Sequence, residues 1–63
     1  MKDVNGKKVR VGDLIADING SEGKVVEVNK KYGYILVYFP GYGKDRLDNS
    51  DWFEILPKEE GGR

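Results

Sequence analysis

Six consecutive residues, Tyr34-Ile35-Leu36-Val37-Tyr38-Phe39, are β-branched, aromatic or leucine, with Gly33 in front and Pro40-Gly41 behind. A run this short between turn residues is a strand. It falls below the ~10 residues expected of a helix, and its side chains favour a pleated surface. Alternation puts Ile35, Val37 and Phe39 on one face and Tyr34, Leu36 and Tyr38 on the other. Both faces are apolar, so the strand is either covered on both sides or shows a tyrosine-rich stripe to its surroundings.

The rest of the chain has little material with which to cover that strand. Sixty-three residues make one domain with a barely sufficient core. There is no Cys and no His, which removes disulfides, the usual zinc sites and thiol or imidazole chemistry. Thr is also absent, and the only serines, Ser21 and Ser50, stand in turn-forming stretches. A general base would have to be a carboxylate in a chain too small for a deep pocket, so the chain is expected to be a non-enzyme without a cofactor. Eleven basic residues balance eleven acidic ones, so no general positive field attracts phosphate backbones. No apolar run is long enough for a signal sequence or a membrane span, and a cysteine-free chain of this kind is expected in the cytoplasm.

The first half reads as hairpins. Asn5-Gly6 suits a tight turn leading to the alternating Val9-Arg10-Val11. Leu14 to Ile18 is a strand closed by Asn19-Gly20. A carboxylate facing so small a core is costly, so Leu14, Ala16 and Ile18 are expected to point inward, with Ile15 and Asp17 outward. The tetrads Asp3-Val4-Asn5-Gly6 and Asp17-Ile18-Asn19-Gly20 are near copies, read as two uses of one turn chemistry. Lys24 to Val28 is a further strand, joined by the turn-forming Asn29 to Gly33 to the central one as an antiparallel hairpin.

In the second half, Lys44 to Leu47 reads as a short polar edge strand. Asp48-Asn49-Ser50-Asp51 favours a turn or one helical turn capped by Asp48 or Ser50. Its oxygens, with Asp45, lack the ligand order of a calcium loop. Trp52 to Leu56 is the last strand, with Trp52 expected in the core or closing the barrel. Residues 1–57 form the domain, and 58–63 are expected to be a disordered tail. Five or six short antiparallel strands about ten residues apart indicate an all-β fold, and the small size favours a barrel over a sandwich.

Val11-Gly12-Asp13-Leu14-Ile15, Ile18 to Val28 with its Gly23, Ile35 to Phe39 and Asp51 to Leu56 together resemble an SH3-like barrel, nearest to its KOW-like and Tudor-like branch. Short proteins of this pattern are common in bacteriophage genomes, so the resemblance extends to a phage or prophage origin. It implies a non-catalytic binding module that contacts protein or nucleic acid through loops and one barrel face. The paired tryptophans and alanine-leucine-tyrosine strand of proline-binding SH3 domains are absent, so no proline-rich ligand is implied.

Two sets of binding residues follow. Tyr34, Leu36, Tyr38 and Tyr42 are the candidates for binding another protein, because tyrosine gives large contact area at low entropic cost. An N-terminal hairpin folded over the sheet would cover this stripe, and the sequence leaves that open. Lys24, Lys30, Lys31 and Tyr32 are the alternative, a platform for single-stranded nucleic acid that Lys7, Lys8 and Arg10 could extend. The loop from Asn19 to Glu22 is short and carries an acid, which favours protein as the partner. A structural or assembly role is the third reading, in a chain expected to be a monomer or a weak oligomer.

Overall fold

A computed structural model describes residues 1–57; the expected tail, 58–63, lies outside them. The elements are β1 (Leu14–Asp17), β2 (Glu22–Asn29), β3 (Tyr34–Phe39), β4 (Gly43–Leu47), a 3-10 turn (Ser50–Trp52) and β5 (Phe53–Ile55). The fold is all-β: five antiparallel strands form one sheet in the order β4-β3-β2-β1-β5. The sheet is not closed. β4 and β5 are its two edges, so strand pairing does not complete the barrel expected from the strand count.

The central strand has the bounds its sequence gave it, and its inward set is the expected one. Ile35, Val37 and Phe39 are buried and form the core with Val9, Ile15, Val25, Leu47 and Phe53. Each strand contributes to this single face, and the N-terminal segment packs on it through Val9 and Met1. β2 keeps its apolar residues on the core side by means of a bulge: Val25 pairs with Val37, but Glu27 rather than Val26 pairs with Leu36. The extra residue puts both Val26 and Glu27 outside and returns Val28 to the core.

β2 and β3 approach closely at Gly23, where no side chain fits. A Cβ there would lie 2.6 Å from Val37 Cγ1, 2.7 Å from Phe39 Cδ1 and 2.8 Å from the Tyr38 carbonyl oxygen. The glycine at the start of β2 is thus a packing requirement.

The two tetrads fold alike, bond for bond. Asp3 Oδ1 accepts the N–H groups of Asn5 and Lys7, and Asp17 Oδ1 accepts those of Asn19 and Ser21. In each, the first aspartate's carbonyl accepts the glycine N–H, at 3.0 Å for Gly6 and 2.9 Å for Gly20. Both glycines have φ above 80°, which is why Asn-Gly recurs.

That turn chemistry overturns the expected facing of β1. Ile15 is fully buried, whereas Leu14 is 52% exposed and Ile18 lies beyond the strand, also exposed. Asp17 shares the face of Ile15, but as the last residue of the strand it spends its carboxylate on the turn and does not enter the core. Two further expectations are corrected at the other end. Asn49, not Asp48 or Ser50, caps the 3-10 turn, through an oxygen that accepts the Asp51 N–H. Trp52 belongs to that turn rather than to β5, and at 43% exposure it is not a core residue.

Candidate functional site

Cross-strand pairing determines which side chains share a surface, because directly opposed residues project to the same face. On the outer face, Leu14 pairs with Lys24, Lys24 with Tyr38, and Tyr38 with Lys44. This row crosses β1, β2, β3 and β4 and sets the tyrosine between two lysines. The next row is Glu27, Leu36 and Arg46. Beyond it, Tyr34 pairs with Asn29, whose amide donates to the Tyr34 hydroxyl at 3.1 Å, while the Arg46 guanidinium lies 5.5 Å from the Tyr34 ring centre.

The structure therefore divides the first candidate set. Tyr34, Leu36 and Tyr38 lie on one face, and the N-terminal hairpin does not cover them. That hairpin lies along β5 instead, with Val4 N–H donating to the Phe53 carbonyl and Asp3 bonded to Ile55. Tyr38 is 44% exposed, whereas Tyr34 and Leu36 are half-buried by their neighbours. Tyr42 is elsewhere, in the β3–β4 turn and 78% exposed, its ring set edge-on to the core residue Phe39.

The nucleic-acid set is divided as well. Lys24 is in the outer-face row, but Lys30, Lys31 and Tyr32 stand in the β2–β3 turn past the far end of β2, roughly 20 Å away at strand rise. Lys31 sits 5.4 Å from the Tyr32 ring centre. Lys7, Lys8 and Arg10 belong to a third place, a hollow shared with Asp13, Ile55 and Pro57.

Two features escaped the sequence. Val4, Ile18 and Trp52 line a small hollow beside β5, all three of them exposed. At the end of the inner face, a larger cleft opens between the β1–β2 and β3–β4 turns. Its lining includes Phe39, Pro40 and Tyr42 together with Asp17, Glu22 and Asp45. Asp45 pairs with Val37 and so faces the core side, yet it stays exposed because β4 is an edge. The sequence signal for this cleft is the phase of Asp17, Val37 and Asp45, which can be seen only once the register is known.

Among the described residues, no group of three or more carboxylate, imidazole or thiol side chains could hold a metal ion, and no helix is long and apolar enough to cross a membrane. Comparison of the chain with protein-family models, curated proteins and solved structures finds no match.

Proposed function

We propose that the protein is a non-catalytic protein-interaction module that receives its partner on the outer face of the sheet. The observation that carries this reading is Tyr38, exposed between Lys24 and Lys44 on the face that also exposes Leu14 and Val26. An aromatic anchor framed by charges with apolar area beside it is the usual make-up of a binding hot spot. The four-strand meander β1–β4, with β5 returning to pair with β1, supports reading the fold as an opened SH3-like barrel.

A second reading, nucleic-acid binding, draws on the same alternation of cation, tyrosine and cation, with Lys24, Tyr38 and Lys44 in place of the turn residues Lys30, Lys31 and Tyr32. Leu14, Val26 and Glu27 favour protein, since apolar area and a carboxylate have no use against a phosphate backbone.

A photocrosslinking residue at position 38 tests both. The protein reading expects one discrete protein adduct that a crosslinker at position 10 does not give. A nuclease-sensitive adduct, weakened by salt, moves the function to nucleic acid, and an adduct only from position 52 moves the interface to the Trp52 hollow.

A further inference from the structure

The outer face carries both basic and acidic residues, Lys24, Lys44 and Arg46 with Glu27 and Glu54; the cleft beside Phe39 and Tyr42 is acidic. It measures about 480 Å³, and the residues around it include no lysine or arginine. That volume lies within the range of small-ligand pockets. We propose that this cleft takes an arginine side chain from a basic segment of a partner protein, a contact separate from the outer-face interface.

The choice of arginine rests on how the acids and the aromatic surface are arranged. Asp17, Glu22 and Asp45 all line the cleft but do not form a group that could hold a metal ion. Dispersed acceptors suit a planar cation with five N–H donors better than a point charge. Asp17 holds its turn through Oδ1, and Asp45 Oδ1 accepts the Arg46 N–H, so each retains Oδ2 for a ligand.

The aromatic residues of the lining favour the same shape. Phe39 and Tyr42 meet nearly at right angles, 82°, with ring centres 6.4 Å apart, and Phe39 is buried. Tyr42 is thus the one open ring, a surface on which a flat guanidinium can stack. A quaternary ammonium gains most from rings on several sides and cannot donate to the carboxylates. The cleft therefore prefers unmodified arginine to a trimethylated lysine.

The test is a proton–nitrogen NMR titration of the full chain at low salt with three acetylated, amidated glycine-flanked peptides. One carries arginine, one its neutral isostere citrulline, and one trimethyllysine. The arginine peptide is expected to move the amides of residues 17–22 and 39–45 with saturation in the millimolar range, and the citrulline peptide to move none of them. Asp45→Asn and Glu22→Gln each weaken binding by roughly two- to fivefold, the scale of one exposed charge pair, while Lys24→Ala on the outer face leaves it unchanged. Asp45→Asn keeps an acceptor oxygen for the Arg46 N–H, so the edge strand is preserved. The inference is overturned if citrulline binds as well as arginine, if trimethyllysine binds more tightly, or if shifts spread over Asp48, Asp51 and Glu54 or fail to appear. None of these results bears on crosslinking from position 38.

Discussion

The Asp3 carboxylate accepts the backbone N–H of Ile55 at 2.8 Å, fastening the first turn of the chain to the edge of the last strand 52 residues away. Its other oxygen closes the Asp3–Lys7 turn. One buried side chain thereby accepts from three backbone donors in two distant segments. An asparagine has one acceptor oxygen and would turn an N–H₂ donor towards one of those donors. Asp3→Asn should therefore cost about 1–3 kcal/mol, the penalty of a buried donor left unpaired. Asp17 has the same turn bonds and no distant partner, so Asp17→Asn should stay within about 0.5 kcal/mol. Urea midpoints decide this, and equal losses would mean that the Ile55 bond contributes nothing.

The same carboxylate should leave its mark on acid unfolding. Burial pushes Asp3 up, but the N–H groups of Ile55, Lys7 and Asn5 and the charge of Lys7 together outweigh it and hold the carboxyl below its ordinary value. A lowered folded-state pKa contributes stability that is present above the unfolded-state value and lost as pH falls through the folded one. The stability gap between native protein and Asp3→Asn should thus be constant near neutrality. It should begin to close near pH ~4, the ordinary aspartate range, and keep closing below it. Urea midpoints measured on both proteins against pH give the curve, and a gap that widens on acidification would contradict the assignment.

Gly23→Ala should be disruptive although it adds one methyl group. Two of the three atoms the new Cβ would meet belong to side chains, Val37 and Phe39, but the third is the Tyr38 carbonyl oxygen at 2.8 Å. The backbone of the central strand cannot move aside without breaking its pairing. A loss of about 1–3 kcal/mol, the range for an overpacked core, is expected. Adding Val37→Ala should recover none of it, because the carbonyl contact remains and a cavity is added. Thermal unfolding of the single and double variants measures this, and a double variant more stable than Gly23→Ala would place the strain on Val37 alone.

Local chemistry was legible from the residues. The β3 bounds, its inward set, the charged edge strand at β4 and the twin Asp-Asn-Gly turns all follow from runs of a few neighbouring side chains. Placement that depends on register was not. The β1 facing is not legible, because a strand-final aspartate satisfies itself in the adjacent turn and so carries little cost on the core side. Alternation places Tyr34, Leu36 and Tyr38 on one outer face, as found, but only cross-strand pairing shows Tyr38 between two lysines, and Tyr42 lines a separate acidic cleft. Trp52 looked like core because tryptophan is large and apolar, yet the 3-10 turn capped by Asn49 carries it outward.

Both sheet edges are occupied by aspartates, which bears on self-association. An edge strand offers unpaired N–H and carbonyl groups to other chains. On β5, Asp3 takes the Ile55 N–H and Val4 N–H donates to the Phe53 carbonyl. On β4, Asp45 Oδ1 accepts the N–H of Arg46 at 2.9 Å. Asp45→Ala frees that donor and removes a charge from the edge, while Asp45→Asn removes the charge and keeps an acceptor. Sedimentation at high concentration should show a monomer for the native chain and for Asp45→Asn, and concentration-dependent association for Asp45→Ala. Association of both variants would assign the protection to charge repulsion rather than to the occupied N–H. Association of the native chain would show that β4 is open despite Asp45 and would favour an assembly role.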